Sequence, residues 1–288
     1  MKKTSIFLSA LTLMAVFFTS CKGSDPEVII EDGFYVAGTA TGADALNMDY
    51  RLAAGKNEAN SNEVRAGMYE KYVALEANKE FYLILREGTT ETHYGATLTD
   101  KVLNGENDQP VLTIQKGSLV VGEAAPAMKV TKSGLYHIVL DLNLANDLDL
   151  TGGAQIIVAP VEWGVRGING DWGWKKMKSP ATFSKTEMSW DTTIVSTKDG
   201  KFKFTYGGGW KIQLDDAGKV KANTNLGEGN VQGGSDISID KGDNVKITLT
   251  WNLKSGEISK SYTVTTTAGK WYYDEVANAK FSLIGSAF

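Results

Sequence analysis

Apolar and polar residues alternate with a period of two along most of this chain. Residues 69–75, 80–86, 111–114 and 134–142 each read as a strand bounded by turn residues, and so do 192–196, 201–206, 245–251 and 261–266. Asp199-Gly200 and Ser255-Gly256 supply turn chemistry between neighbouring runs. No segment keeps a helical period beyond two or three turns, and a short helical turn near 186–189 is the most that the pattern predicts. Strands without intervening helices predict an all-β protein of tandem antiparallel β-sandwich domains.

An internal repeat divides the chain. Phe34-Tyr-Val-Ala-Gly-Thr-Ala, Trp163-Gly-Val-Arg-Gly-Ile-Asn and Phe281-Ser-Leu-Ile-Gly-Ser-Ala share an aromatic residue, an apolar residue two places on and a glycine after that. Repetition at domain length indicates tandem modules rather than a solenoid. The predicted organisation is a first β-sandwich at 33–158, a second at 159–268, and a linker with the start of a truncated third module at 269–288. Each unit suits an immunoglobulin-like or carbohydrate-binding-module-like sandwich.

The N-terminus adds a destination. Met1-Lys2-Lys3 is basic, the stretch from Ile6 to Phe18 is mostly apolar, and Thr19-Ser20 leads into Cys21, the single cysteine of the chain. That layout predicts a signal peptide at 1–20 with Cys21 as a lipidated mature N-terminus, followed by a polar tether at 21–32. Over the whole 288 residues the balance is 30 Lys and Arg against 34 Asp and Glu, a net charge of −4. This dispersed, mildly acidic charge carries no electrostatic footprint for nucleic acid. Composition, with 31 Gly, 5 Pro and 10 % aromatic residues, agrees with a β protein.

Enzymatic chemistry finds little support. The two histidines, His93 and His137, have no partner in a metal-ligand spacing, and mid-strand His137 reads as structural. The nucleophile elbow G-x-S-x-G does not occur. Asp147-Leu-Asp149 and Asp215-Asp216 resemble pieces of a calcium loop but lack its glycine and terminal glutamate. The expectation is therefore no catalytic residue, no metal and no cofactor.

The tryptophans carry more information. Trp163 and Trp251 alternate with apolar strand positions and read as core residues. Trp172, Trp174 and Trp210 lie among Gly, Asp, Asn and Lys in loop-like sequence. Indoles left exposed on a loop offer flat faces to the C–H faces of sugars, while polar side chains hydrogen-bond the rims. Trp172, Trp174 and Trp210 are thus predicted to stack on a glycan. Arg166, Asn169, Asp171, Lys175, Lys203 and Lys211 are available to hydrogen-bond the rims. The first unit has only tyrosines for this role, such as Tyr50 and Tyr94.

The cysteine-terminated signal, the repeated opening strand and the segment Lys201-Phe-Lys-Phe-Thr-Tyr-Gly-Gly-Gly-Trp-Lys together resemble the SusE/SusF-type outer-membrane starch-binding lipoproteins of Bacteroidota. Three glycines stand here where the family's turn usually has Asn or Asp. The resemblance implies a non-catalytic cell-surface lipoprotein, facing outward on the outer membrane, that binds a starch-like α-glucan. It places the stacking role on Trp172, Trp174 and Trp210, with Trp190 as a further candidate, and the hydrogen-bonding role on Lys203 and Lys211, and it implies a SusC/SusD-like import complex as partner. The alternative is a structural or interaction lipoprotein of the outer membrane with no glycan site of its own.

Overall fold

The computed structural model describes residues 29–57, 63–103, 112–142, 154–206, 213–214, 220–221, 225–226, 235–253 and 262–267. Cys21, Trp210, Lys211 and the third repeat at 281–288 lie outside the described residues. The first half contributes β1 (Gly33–Ala37), β2 (Ala53–Asn57), β3 (Glu63–Leu75), β4 (Tyr82–Glu87), β5 (Thr90–Gly95), β6 (Thr99–Leu103), β7 (Leu112–Ser118), β8 (Val120–Val121), β9 (Gly134–Asp141) and β10 (Gln155–Pro160). They form a four-stranded sheet in the order β1-β4-β5-β8 and a six-stranded sheet in the order β2-β3-β9-β10-β7-β6, with antiparallel pairing throughout.

The second half begins with β11 (Trp163–Arg166), β12 (Lys175–Lys176), β13 (Glu187–Ser196) and β14 (Gly200–Tyr206). Then come β15 (Gln213–Leu214), β16 (Val220–Lys221), β17 (Asn225–Leu226), β18 (Ile237–Ile239), β19 (Gly242–Asn252) and β20 (Tyr262–Thr267). One sheet runs β12-β11-β14-β17, with β18 also on β14, and another runs β13-β19-β20. The short helical turn expected near 186–189 is instead the start of β13. Met188 and Trp190 alternate there with polar neighbours, and pairing with β19 places them opposite Trp251 and Leu249 on one buried face. Period-two burial has overridden a weak local turn preference.

The chain from Glu31 onward is one compact unit. The central strands β3, β9 and β10 of its six-stranded sheet are buried on both faces over residues 70–75, 135–141 and 155–159. Val73, Leu75, Ile138, Leu140, Ile156 and Val158 point into a core closed by first-half residues such as Phe34, Val36 and Phe81. Their alternates Tyr72, Ala74, Leu135, Val139, Ile157 and Ala159 point into a second core, completed by Trp163, Trp190, Phe202, Phe204, Ile247 and Trp251. The two halves therefore share a core across the expected 158/159 boundary, which falls inside β10, where Ala159 and Pro160 still pair with β9. Lys185 adds a polar clasp: its ammonium donates to the Thr39 and Thr41 carbonyls at 3.1 and 2.8 Å and pairs with Glu76 at 3.0 Å. The hydrogen bond from Lys185 holds the Glu76 carboxyl below the usual carboxylate pKa.

A polar cluster is embedded in the shared core. His137 Nε2 lies 2.8 Å from Glu70 Oε2 and its Nδ1 lies 2.7 Å from the Tyr206 hydroxyl. Tyr72 stacks on the imidazole at 4.3 Å with an interplanar angle of 1°, and Trp163 packs against Tyr72 and Tyr206. Glu70 and His137 come from the six-stranded sheet and Tyr206 from β14, so the cluster bridges the halves. All three side chains are fully buried. The structural role read for His137 matches this position.

Candidate functional site

The predicted platform lies where β11 leaves its sheet. Val165 and Phe204 pair across β11 and β14 on the core side, so Gly164, Arg166, Lys203 and Thr205 lie on the opposite face, where Gly164 and Thr205 are themselves covered. After Arg166 the chain turns through Gly167, whose φ of 98° is a left-handed value suited to glycine. A Cβ at Gly167 would also sit 2.6 Å from the Lys201 carbonyl and 3.2 Å from the Trp172 ring. The Trp172 indole thus folds back over the Gly167 backbone, and it stays half exposed at 50 %. Arg166 supports this arrangement by donating from Nη1 to the Trp172 carbonyl at 2.9 Å. Partial burial lowers the pKa of its guanidinium from the usual arginine value.

Trp174 lies across Gly164. A Cβ on Gly164 would fall well inside contact distance of the indole nitrogen and 2.7 Å from the Lys175 carbonyl. The ring is partly exposed, but its N–H is buried and makes no hydrogen bond to a described residue; the Thr205 hydroxyl, opposite Gly164 in the register, is in the same condition. Gly164→Ala is accordingly expected to destabilise the protein by about 1–3 kcal/mol, as overpacking does. It should also displace Trp174 into solvent, read as a red shift of tryptophan emission beside the denaturation midpoint. An unshifted midpoint and spectrum would show that the indole does not lie on Gly164.

Polar residues around the platform are largely committed. Asn169 adopts a left-handed φ of 59°. Its amide donates to the Val195 carbonyl at 3.0 Å, and its carbonyl oxygen accepts from the Thr197 backbone and hydroxyl at 2.8 and 3.1 Å. It therefore locks the Trp172 loop to the β13–β14 turn, where the sequence reading offered it to a ligand. The Asp171 carboxylate accepts from Gly173 N at 2.8 Å and pairs with Lys175 at 3.2 Å, and both interactions lower its pKa. Lys203, opposite Arg166 on the outer face, pairs with Asp236 at 3.7 Å.

The predicted residues separate into three groups. Trp172, Trp174 and Lys203 come together on one face. Trp190 is a correction: it is 3 % exposed in the shared core, because it occupies an inward position of β13, and it offers no face to a ligand. Trp210 and Lys211 fall outside the described residues. Of the tyrosines proposed for the first half, Tyr50 is buried, with its hydroxyl accepting from Gly42 N, and Tyr94 packs edge-on against Phe34.

A separate cleft of about 370 Å³ is lined by Thr97, Thr99, Lys116, Gly117, Ser118 and Val120. It has no aromatic lining residue and so no stacking surface. Among the described residues no group of three or more His, Cys, Asp or Glu is placed to hold a metal ion, and no helix is long and apolar enough to cross a membrane. Compared with known proteins, the chain matches no family model, no curated protein and no solved structure.

Proposed function

We propose that this chain is a non-catalytic polysaccharide-binding lipoprotein of the outer membrane, which captures glycan for import through the Trp172–Trp174 surface. The observation that carries this reading is Trp172, a large indole left half exposed on a loop that Asn169, Arg166 and Gly167 hold in one conformation. A fixed aromatic face loses little freedom when a sugar ring stacks on it, which favours binding by pre-organisation. Trp174, over Gly164, adds a second indole, and Lys203, opposite Arg166 on the same sheet face, supplies a rim donor. The anchor at Cys21, the outward orientation, the SusC/SusD-like partner and a starch-like α-glucan as ligand belong to the same proposal. They rest on the N-terminal pattern and the resemblance described above.

Trp172→Ala is expected to weaken polysaccharide retardation in affinity electrophoresis at least about tenfold, equivalent to roughly 1.4 kcal/mol. Circular dichroism should be unchanged, because the side chain fills no core. Equal retardation of variant and wild type would remove Trp172 from the site. A second reading, a structural or interaction lipoprotein, draws support from Trp163, Trp190 and Trp251, which are all core residues. It is favoured if neither α-glucan nor any other polysaccharide retards the wild type.

A further inference from the structure

The charge around Trp172 is more informative than the chain's net charge. The Asn169 bonds to Val195 and Thr197 bring the β13–β14 turn against the platform loop, and they carry Lys198 with it. The Lys198 ammonium lies 3.6 Å from where a Cβ on Gly170 would stand. Lys201 follows on β14, and its carbonyl and the tip of the Trp172 ring close on the same point above Gly167. Arg166 and Lys203 stand directly opposite each other on the outer face. Like charges in directly paired positions destabilise a sheet, a cost that the Arg166 bond to the Trp172 carbonyl and the Lys203–Asp236 pair offset.

The nearby carboxylates do not restore the balance. Asp171 is turned to Gly173 N and Lys175. Asp199, between Lys198 and Lys201 in sequence, accepts from Lys241 N at 2.7 Å and is aimed at the next turn. Asp236 meets Lys203 at 3.7 Å. Among the described residues no carboxylate pairs with Lys198 or Lys201. A protein of net charge −4 has therefore gathered a cationic surplus around its exposed indole.

We infer that the Trp172 surface takes an acidic polysaccharide, one bearing carboxylates or sulfates, rather than a neutral glucan. The inference rests on the glycan-binding reading above and replaces its starch-like ligand with a charged one. A uronate ring presents a C–H face that stacks on the indole, and its carboxylate then reaches the ammonium groups of Lys198 and Lys201. Their attraction is long-ranged and concentrates an anionic polymer at the platform. Hydrogen bonds alone would serve for a neutral sugar, and two lysines free of carboxylates would add nothing.

The test uses the full chain, purified in a neutral detergent, in native gels containing polygalacturonate, soluble starch or no polymer. Single-stranded DNA is the competing polyanion in solution. Retardation by polygalacturonate is expected to exceed that by starch at least tenfold at about 0.05 M salt, and to fade at about 0.5 M as screening takes hold. Lys198→Glu combined with Lys201→Glu should remove at least about nine-tenths of the polygalacturonate effect, because two attractions become repulsions. Trp172→Ala should remove it as well, and unchanged circular dichroism in both variants would exclude misfolding as the cause. Starch retarding the protein as strongly as polygalacturonate would overturn the acidic ligand while leaving glycan binding intact. Retardation by neither polymer would overturn both readings. Full retention of polygalacturonate binding by Trp172→Ala, or displacement by single-stranded DNA at equal charge concentration, would reduce the surface to a general polyanion patch and overturn the inference.

Discussion

Replacing His137 with alanine is expected to lower stability by about 3–5 kcal/mol, the range for breaking a buried polar pair by removing one partner. The imidazole is fully buried between Glu70 and Tyr206, so its loss removes a hydrogen-bond partner from a buried carboxyl and from a buried phenol hydroxyl. The same deletion leaves a void under the stacked Tyr72 ring, and cavities in close-packed interiors add to the cost. Chemical denaturation of His137→Ala measures this directly. A triple variant, Glu70→Leu with His137→Leu and Tyr206→Phe, supplies the control, since apolar groups of similar volume replace all three bonded side chains together. It should recover most of the loss. A change below about 1 kcal/mol for His137→Ala would mean that the cluster is relaxed by water and does not bridge the halves.

Lys71 gives the second large effect, of opposite sign. It is 2 % exposed on β3, and burial lowers its pKa from 10.5 to about 8, with Asp49 acting weakly in the other direction. Below about pH 8 both folded and unfolded chains carry the proton, and the folded chain bears the full desolvation cost. Between about 8 and 10.5 the unfolded chain binds the more protons, so this group's contribution to stability rises with pH. Lys71→Met should remove the ammonium while keeping the stem, and stabilise the protein at pH 7 by roughly 3 kcal/mol. The gain should shrink as pH rises through this window. Tyr136, pushed up to about 12 by burial, opposes folding at the alkaline end as the unfolded phenol ionises first. Subtracting wild type from variant at each pH cancels that contribution. A stabilisation that is absent at pH 7, or that grows toward pH 10, would contradict the assignment.

The strands were legible because one face of most of them is polar, and β13 and β19 show how far that goes: their alternation fixes which side of Trp251 and Leu249 is buried. The shared core was harder to see. Ile156-Ile157-Val158-Ala159 is a continuous apolar run, the signal of a strand buried on both faces. Reading it as the edge of a domain discarded that signal. Trp190 was misplaced for a related reason, since its spacing of two from Met188 marks an inward strand position. The platform itself was only half legible. Loop-like neighbours pointed to Trp172 and Trp174, but Asn169 looked like a ligand donor because sequence cannot show that both ends of its amide are already engaged. The cationic surplus was hidden too, for it depends on a turn folding back on a loop some 25–30 residues earlier in the chain.

The clasp of Lys185 on the Thr39 and Thr41 carbonyls has a mechanical meaning when set beside the doubly buried sheet. A long polymer held at Trp172 and dragged by flow would load β11 and β14. That load has no hinge to swing, because moving the second half means sliding a whole buried face and tearing out the lysine in the same motion. Among the described residues, tension applied to β11 and β14 would thus be shared with first-half strands through the common core and the lysine clasp.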